Sequence, residues 1–319
     1  MAGSTGGPTS FTPTIMAYNA EDFVLYLQPC ALPLVPALFN GITPTFTPEV
    51  GGRVLGRFLC EAPGEEGVDI VTQEINRCVK ENDTETQRSL ASLASFYIDI
   101  VLKTFVQYFE KLRKATDDSY EEEEVAQNAD LFAKASELAL AREDNRSMLT
   151  RLLDYDIWSK RGGDLTIETT FTATCHIIPH QMVSGHNTGR KRSVVRAILE
   201  KPGLDMKPVD GEQINDLENI LTLDVGTHKL FAALEIWFTP VEGRSNTYRV
   251  EARNLGTLAR RVPENPITFT STNPKEYPLP DPLLLSLQRT CARVMHLSGA
   301  GVHIWKVMEV EELMGGITP

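Results

Sequence analysis

Seven apolar residues, Leu90, Leu93, Tyr97, Val101, Phe105, Phe109 and Leu112, recur at steps of three and four. That spacing aligns them as one face of a long helix, the strongest helical signal in the chain. A second helix is expected at about 125–142, where Leu131, Phe132, Ala135, Leu138 and Ala139 keep the same spacing. The acidic stretch from Asp117 to Glu124 between them reads as a solvated loop or a helix start. Two earlier apolar runs, Glu21 to Leu27 and Arg53 to Cys60, flank a Pro- and Gly-rich segment, and periodicity leaves strand or helix open there.

After about residue 145 the grammar changes. The run from Thr166 to Thr174 is rich in Thr, as strands are, inside a β-prone stretch from Leu165 to Ile178. Leu234–Val241 and Thr247–Ala252, joined by Glu242-Gly243-Arg244-Ser245-Asn246, read as a hairpin with Trp237 and Phe238 in its core. Asp281-Pro282 opens a further helix that Gly299 stops, and Val302 to Met314 forms the last one.

With 42% hydrophobic and 23% charged residues, the 319-residue chain has the composition of a globular protein of one large or two modest domains. Disordered, collagen-like and fibrous classes are excluded on that ground. The net charge of −12 means that any nucleic acid must be held by a local basic patch against a repulsive global field. Five cysteines without a CxxC pair argue against a disulfide framework and against a four-thiolate zinc site, and point to a reducing, intracellular setting. Cys30, Cys60, Cys78 and Cys291 lack metal spacing and read as small buried hydrophobes. No stretch is expected to approach the ~20 apolar residues of a membrane span, and the first basic residue is Arg53, so no export signal is expected either. GxGxxG, P-loop and GxSxG patterns are absent from the sequence.

One constellation carries chemistry. Cys175-His176-Ile177-Ile178-Pro179 ends the β-prone stretch, Asn219 stands in Glu218-Asn219-Ile220-Leu221, and His228 stands in Thr227-His228-Lys229-Leu230-Phe231. The order His, Asn, His resembles that of the HNH, or ββα-metal, nucleases. The segments Ala139–Thr150, Asn219–Val250 and Cys291–Ala300 are similar to the corresponding parts of fungal HNH proteins, so the resemblance covers about residues 85–315. The Gly-, Pro-, Ser- and Thr-rich start reads as a flexible tail (1–20), and the periodicity as a mainly helical part (21–145). With the HNH-like ββα-metal module that the resemblance implies (146–319), carrying an added hairpin and C-terminal helices, the expected fold is α+β.

The resemblance also implies roles. His176 would take a proton from water, Asn219 would fix the loop that orients it, and His228 would hold a divalent ion, Zn²⁺, Mg²⁺ or Mn²⁺. Cys175 and His180 are further candidate ligands, with His186 a more distant one. Arg190, Lys191, Arg192 and Arg196 form the dense basic cluster of an acidic chain, and read either as a solvated loop or as the contact for nucleic-acid phosphates. His296 and His303 read as packing or capping residues.

The departures matter as much. Ser147 and Thr150-Arg151 stand where that family usually has a Cys followed by a Thr-Gly pair, and Ala232 stands where many relatives carry an acidic residue. Without a carboxylate at 232 a hard ion loses an oxygen ligand, whereas Cys175 and His228 would suit a softer one. Alongside a metal-dependent phosphodiesterase, two alternatives therefore stay open: a metal-independent acid–base enzyme acting on a small organic molecule, and a catalytically silent binding module.

Overall fold

The computed structural model describes residues 46–62, 64–114, 129–179, 211–254, 256 and 262–315. The 1–20 tail, the 21–27 run, the 117–124 acidic stretch, His180, His186 and the whole 190–196 basic cluster lie outside them.

The described chain is an α+β fold. Helix α1 (Pro48–Glu61) settles the 53–60 run as helical, because Thr47 caps it by accepting from the Val50 N–H and Pro48 pre-sets the first turn. It is followed by α2 (Gly64–Cys78) and by a long rod made of α3 (Asp83–Phe96), a π-helical segment (Tyr97–Leu102) and α4 (Lys103–Lys114). The rod carries the seven-residue stripe. Leu90, Tyr97, Val101 and Phe105 are buried along it, and Tyr97 stacks on Phe58 of α1 with ring centroids 4.2 Å apart. Residues Asp83–Glu110 are long and apolar enough, by length and composition, to cross a membrane, which corrects the expectation that no stretch is. Their apolar face is spent on packing inside the protein, as in a core helix.

The next elements are α5 (Ala129–Arg142), β1 (Leu153–Asp154), α6 (Tyr155–Lys160), β2 (Thr169–Thr170) and β3 (Thr172–His176). The expected strand from 165 shortens to these last two pieces. Asp164 accepts from both the N–H and the hydroxyl of Thr166, which turns the chain before a ladder can form. Then come β4 (Ile220–Asp224), α7 (Val225–Ala232), β5 (Ile236–Pro240), β6 (Thr247–Ala252), β7 (Ile267–Thr268), α8 (Pro282–Ser298) and α9 (Ala300–Gly315). Strand β1 pairs parallel with β2, β3 antiparallel with β4, and β5–β6–β7 form an antiparallel meander that contains the expected hairpin. Asp281 caps α8 through the Leu283 N–H, and Gly299, at φ 81°, ends it in the left-handed region that a residue with a Cβ enters only under strain.

Helical part and sheets share one core. Leu55, Phe58, Leu90 and Phe105 belong to the same buried cluster as Ile177, Leu221, Leu223, Phe238, Val250, Leu285 and Val294. Helix α8 lies along α1, where Glu61 accepts from Arg293 Nε at 2.6 Å and Nη2 at 3.0 Å. Among the cysteines, Cys291 is buried as expected, but Cys60 is exposed, because it falls on the outer side of α1.

Candidate functional site

Three consecutive elements bring the histidines together. β3 runs antiparallel to β4 with His176 opposite Ile220 and Cys175 opposite Leu221, and α7 folds back onto both strands. The helix starts where it does because Asp224, the last residue of β4, accepts from the N–H groups of Gly226 and Thr227. His228 therefore sits in the first turn after β4, facing inward with 3% of its surface exposed.

Asn219 immediately precedes β4 and is 1% exposed. Its side-chain oxygen accepts from the Ile178 N–H at 2.9 Å, and its nitrogen donates to the carbonyls of Ile178 at 3.2 Å and Ile214 at 3.0 Å. Its own carbonyl accepts from the Ile177 N–H at 2.8 Å. The two residues after His176 are thus tied to one amide side chain and its backbone. His176 is contacted by Asn215, whose oxygen lies 3.0 Å from Nε2, and by the ring of Phe132 from α5, tilted 32° at 5.6 Å. The Asn215 oxygen and the Phe132 ring together orient the imidazole of His176.

His228 is the electrostatic anomaly of the site. Burial, with smaller contributions from the nearby His176 and Lys229, pushes its pKa down to about 4. It is neutral at neutral pH, the form that can bind a metal. Its Nε2 is shut off from solvent and has no hydrogen-bond partner among the described residues, an orphaned polar atom of a kind native interiors seldom leave.

Other expected participants are placed differently. Cys175, expected as a soft ligand, points to the opposite face of β3 from His176 and is a fully buried core residue whose thiol burial pushes up. No three His, Cys, Asp or Glu side chains among the described residues stand together as a metal-binding group. Ser147, in place of the thiolate, has its own structural use: its hydroxyl oxygen accepts from the Asp224 N–H at 3.2 Å, tying the 147–150 turn to the start of α7. Ala232 is covered by Tyr108 and Phe109 of α4. His296 bonds the Leu234 carbonyl through Nε2 at 2.8 Å, and His303 packs edge-on to Phe46, as packing residues do.

Sequence reasoning missed Asn215, Phe132 and Arg142. Asn215 had a faint signal, a second Asn four residues before Asn219. Arg142 had a better one, since it continues the spacing of Ala135 and Ala139 along the buried side of α5. The chain matches no family model, no curated protein and no solved structure.

Proposed function

We propose that this protein is a metal-dependent phosphodiesterase of the HNH type acting on nucleic acid. The observation that carries the reading is the orphaned Nε2 of His228, a buried neutral imidazole nitrogen beside His176. A neutral imidazole nitrogen without a hydrogen-bond partner among the described residues is chemically suited to ligate a metal. A divalent ion bound there would supply Lewis-acid polarisation of the scissile phosphate and stabilise the leaving oxygen. His176 serves as general base for the attacking water, with the Asn215 oxygen 3.0 Å from its Nε2 orienting the ring. Asn219 fixes the backbone after His176 and so the placement of that base. Imidazole ligation and an apolar residue at 232 favour Zn²⁺ over Mg²⁺. Arg190, Lys191, Arg192 and Arg196, between β3 and β4 in the chain, are assigned to phosphate contact, and His180 remains a candidate ligand.

The second reading, a metal-independent acid–base enzyme on a small molecule, draws its support from Ala232, whose packing under Tyr108 leaves no oxygen donor on that turn of α7. Calorimetric titration of metal-stripped protein with Zn²⁺ and Mn²⁺ separates the two. The nuclease reading expects one site in the wild type and none in His228→Ala. A folded wild type that takes up neither ion would transfer the conclusion to the second reading.

A further inference from the structure

Arg142, the last residue of α5, is the bulkiest of the fully buried side chains, with 1% of its surface exposed. Its guanidinium is spread over backbone carbonyls: Nη1 donates to Leu217 at 2.9 Å and to Pro278 at 3.0 Å, and Nη2 to Ile220 at 2.7 Å. Nε completes the set on Glu143 Oε1 at 3.0 Å, and Glu143 is itself buried. Leu217 and Ile220 bracket Asn219. Between them the Glu218 carbonyl accepts from the Asp281 N–H and the Asn219 carbonyl from the Ile177 N–H, each at 2.8 Å. Every carbonyl from 217 to 220 is therefore held by a donor.

Burying a cation is costly, and a well-packed apolar side chain often serves stability as well or better. What an apolar residue cannot do is hold two peptide planes on either side of a third residue. The planar fork of arginine does so with fixed geometry, and a lysine ammonium, a point donor on a flexible stem, does not.

We propose that Arg142 is a positioning residue for the His176–Asn219 site: it holds the Leu217 and Ile220 carbonyls, in the peptide units one step beyond those that flank Asn219, and so fixes the segment that carries Asn219 and, through Asn219, the path of the chain after His176. The inference rests on reading His176 and Asn219 as site residues. The same helix also sets Phe132 against the His176 ring, so α5 braces the ring near its start and the loop at its end.

The test uses the full chain carrying Arg142→Lys or Arg142→Met, with amide hydrogen exchange as the first readout. The amides of Ile177 and Ile178 are expected to exchange about ten-fold faster or more, while those of Phe238 and Val250 in the hairpin keep their wild-type rates. Equal acceleration in both places means general destabilisation and overturns the proposal, as do unchanged rates at 177 and 178. The second readout is turnover of a phosphodiester substrate. Arg142→Lys should lower kcat by about ten-fold or more with KM nearly unchanged, and a wild-type kcat contradicts the proposal. If the wild type cleaves nothing, the nuclease reading fails while the exchange pattern still decides whether the clamp exists. Should neither variant fold, wild-type NMR decides: separate, slowly exchanging Nη protons for Arg142 are expected, and one averaged signal overturns the assignment.

Discussion

Asn219 and Ile178 are joined twice: the Asn219 side-chain oxygen accepts from the Ile178 N–H at 2.9 Å and its nitrogen donates to the Ile178 carbonyl at 3.2 Å. An amide side chain that copies a strand partner in this way holds the chain after His176 without a third strand. Asn219→Asp keeps the shape and removes the donor, leaving the Ile178 and Ile214 carbonyls facing an oxygen. The expected loss is about 1–3 kcal/mol of unfolding free energy, read by denaturant titration. A loss within the error of the titration would mean that these bonds do not hold the loop.

The depressed pKa of His228 predicts a pH dependence for the metal-free protein. Above its ordinary value of 6.5 the ring is neutral in both folded and unfolded chains, and its contribution to stability is fully present. Between 6.5 and about 4 the unfolded chain takes up a proton that the folded one refuses, so stability falls as pH drops through that window. The size is roughly 3 kcal/mol across the window. Chemical denaturation at a series of pH values should show this slope in the wild type and a shallower one in His228→Gln. Equal slopes would show that His228 is not held neutral by the fold.

Ala232 lies where a carboxylate would be sought, and Tyr108 closes over it. Ala232→Asp should therefore destabilise the protein by about 1–3 kcal/mol, by burying an unpaired polar group, without strengthening Mg²⁺ binding. An Asp variant of wild-type stability that binds Mg²⁺ more tightly would show that the position still opens onto an ion site.

Part of the frame around the site was legible because it has a local cause: Thr residues fill β3, and the stripe from Leu90 to Leu112 forms the rod. The start of α7 at Asp224 was not read, although an Asp ahead of Val225-Gly226-Thr227 is a capping signal. Helix α1 was undecided because the deciding signal, Thr47-Pro48, lies ahead of the apolar run rather than within it. The second layer of the site was not legible at all. Arg142 bonds main-chain carbonyls, one of them 75 residues away, and a carbonyl carries no mark in the sequence. Cys175, a candidate ligand through the resemblance alone, faces the core instead, because neighbours on a strand point to opposite faces.

The most direct measurement is cleavage of plasmid and single-stranded DNA by the folded protein with Mg²⁺, Mn²⁺ and Zn²⁺ supplied in turn, for wild type, His176→Ala and His228→Ala. The account predicts cleavage with at least one ion, abolished by a chelator. His176→Ala should reduce it by ~10²–10⁴-fold while leaving ion binding intact, and His228→Ala should remove both. A wild type shown to be folded that cleaves neither DNA under any of the three ions would contradict the account.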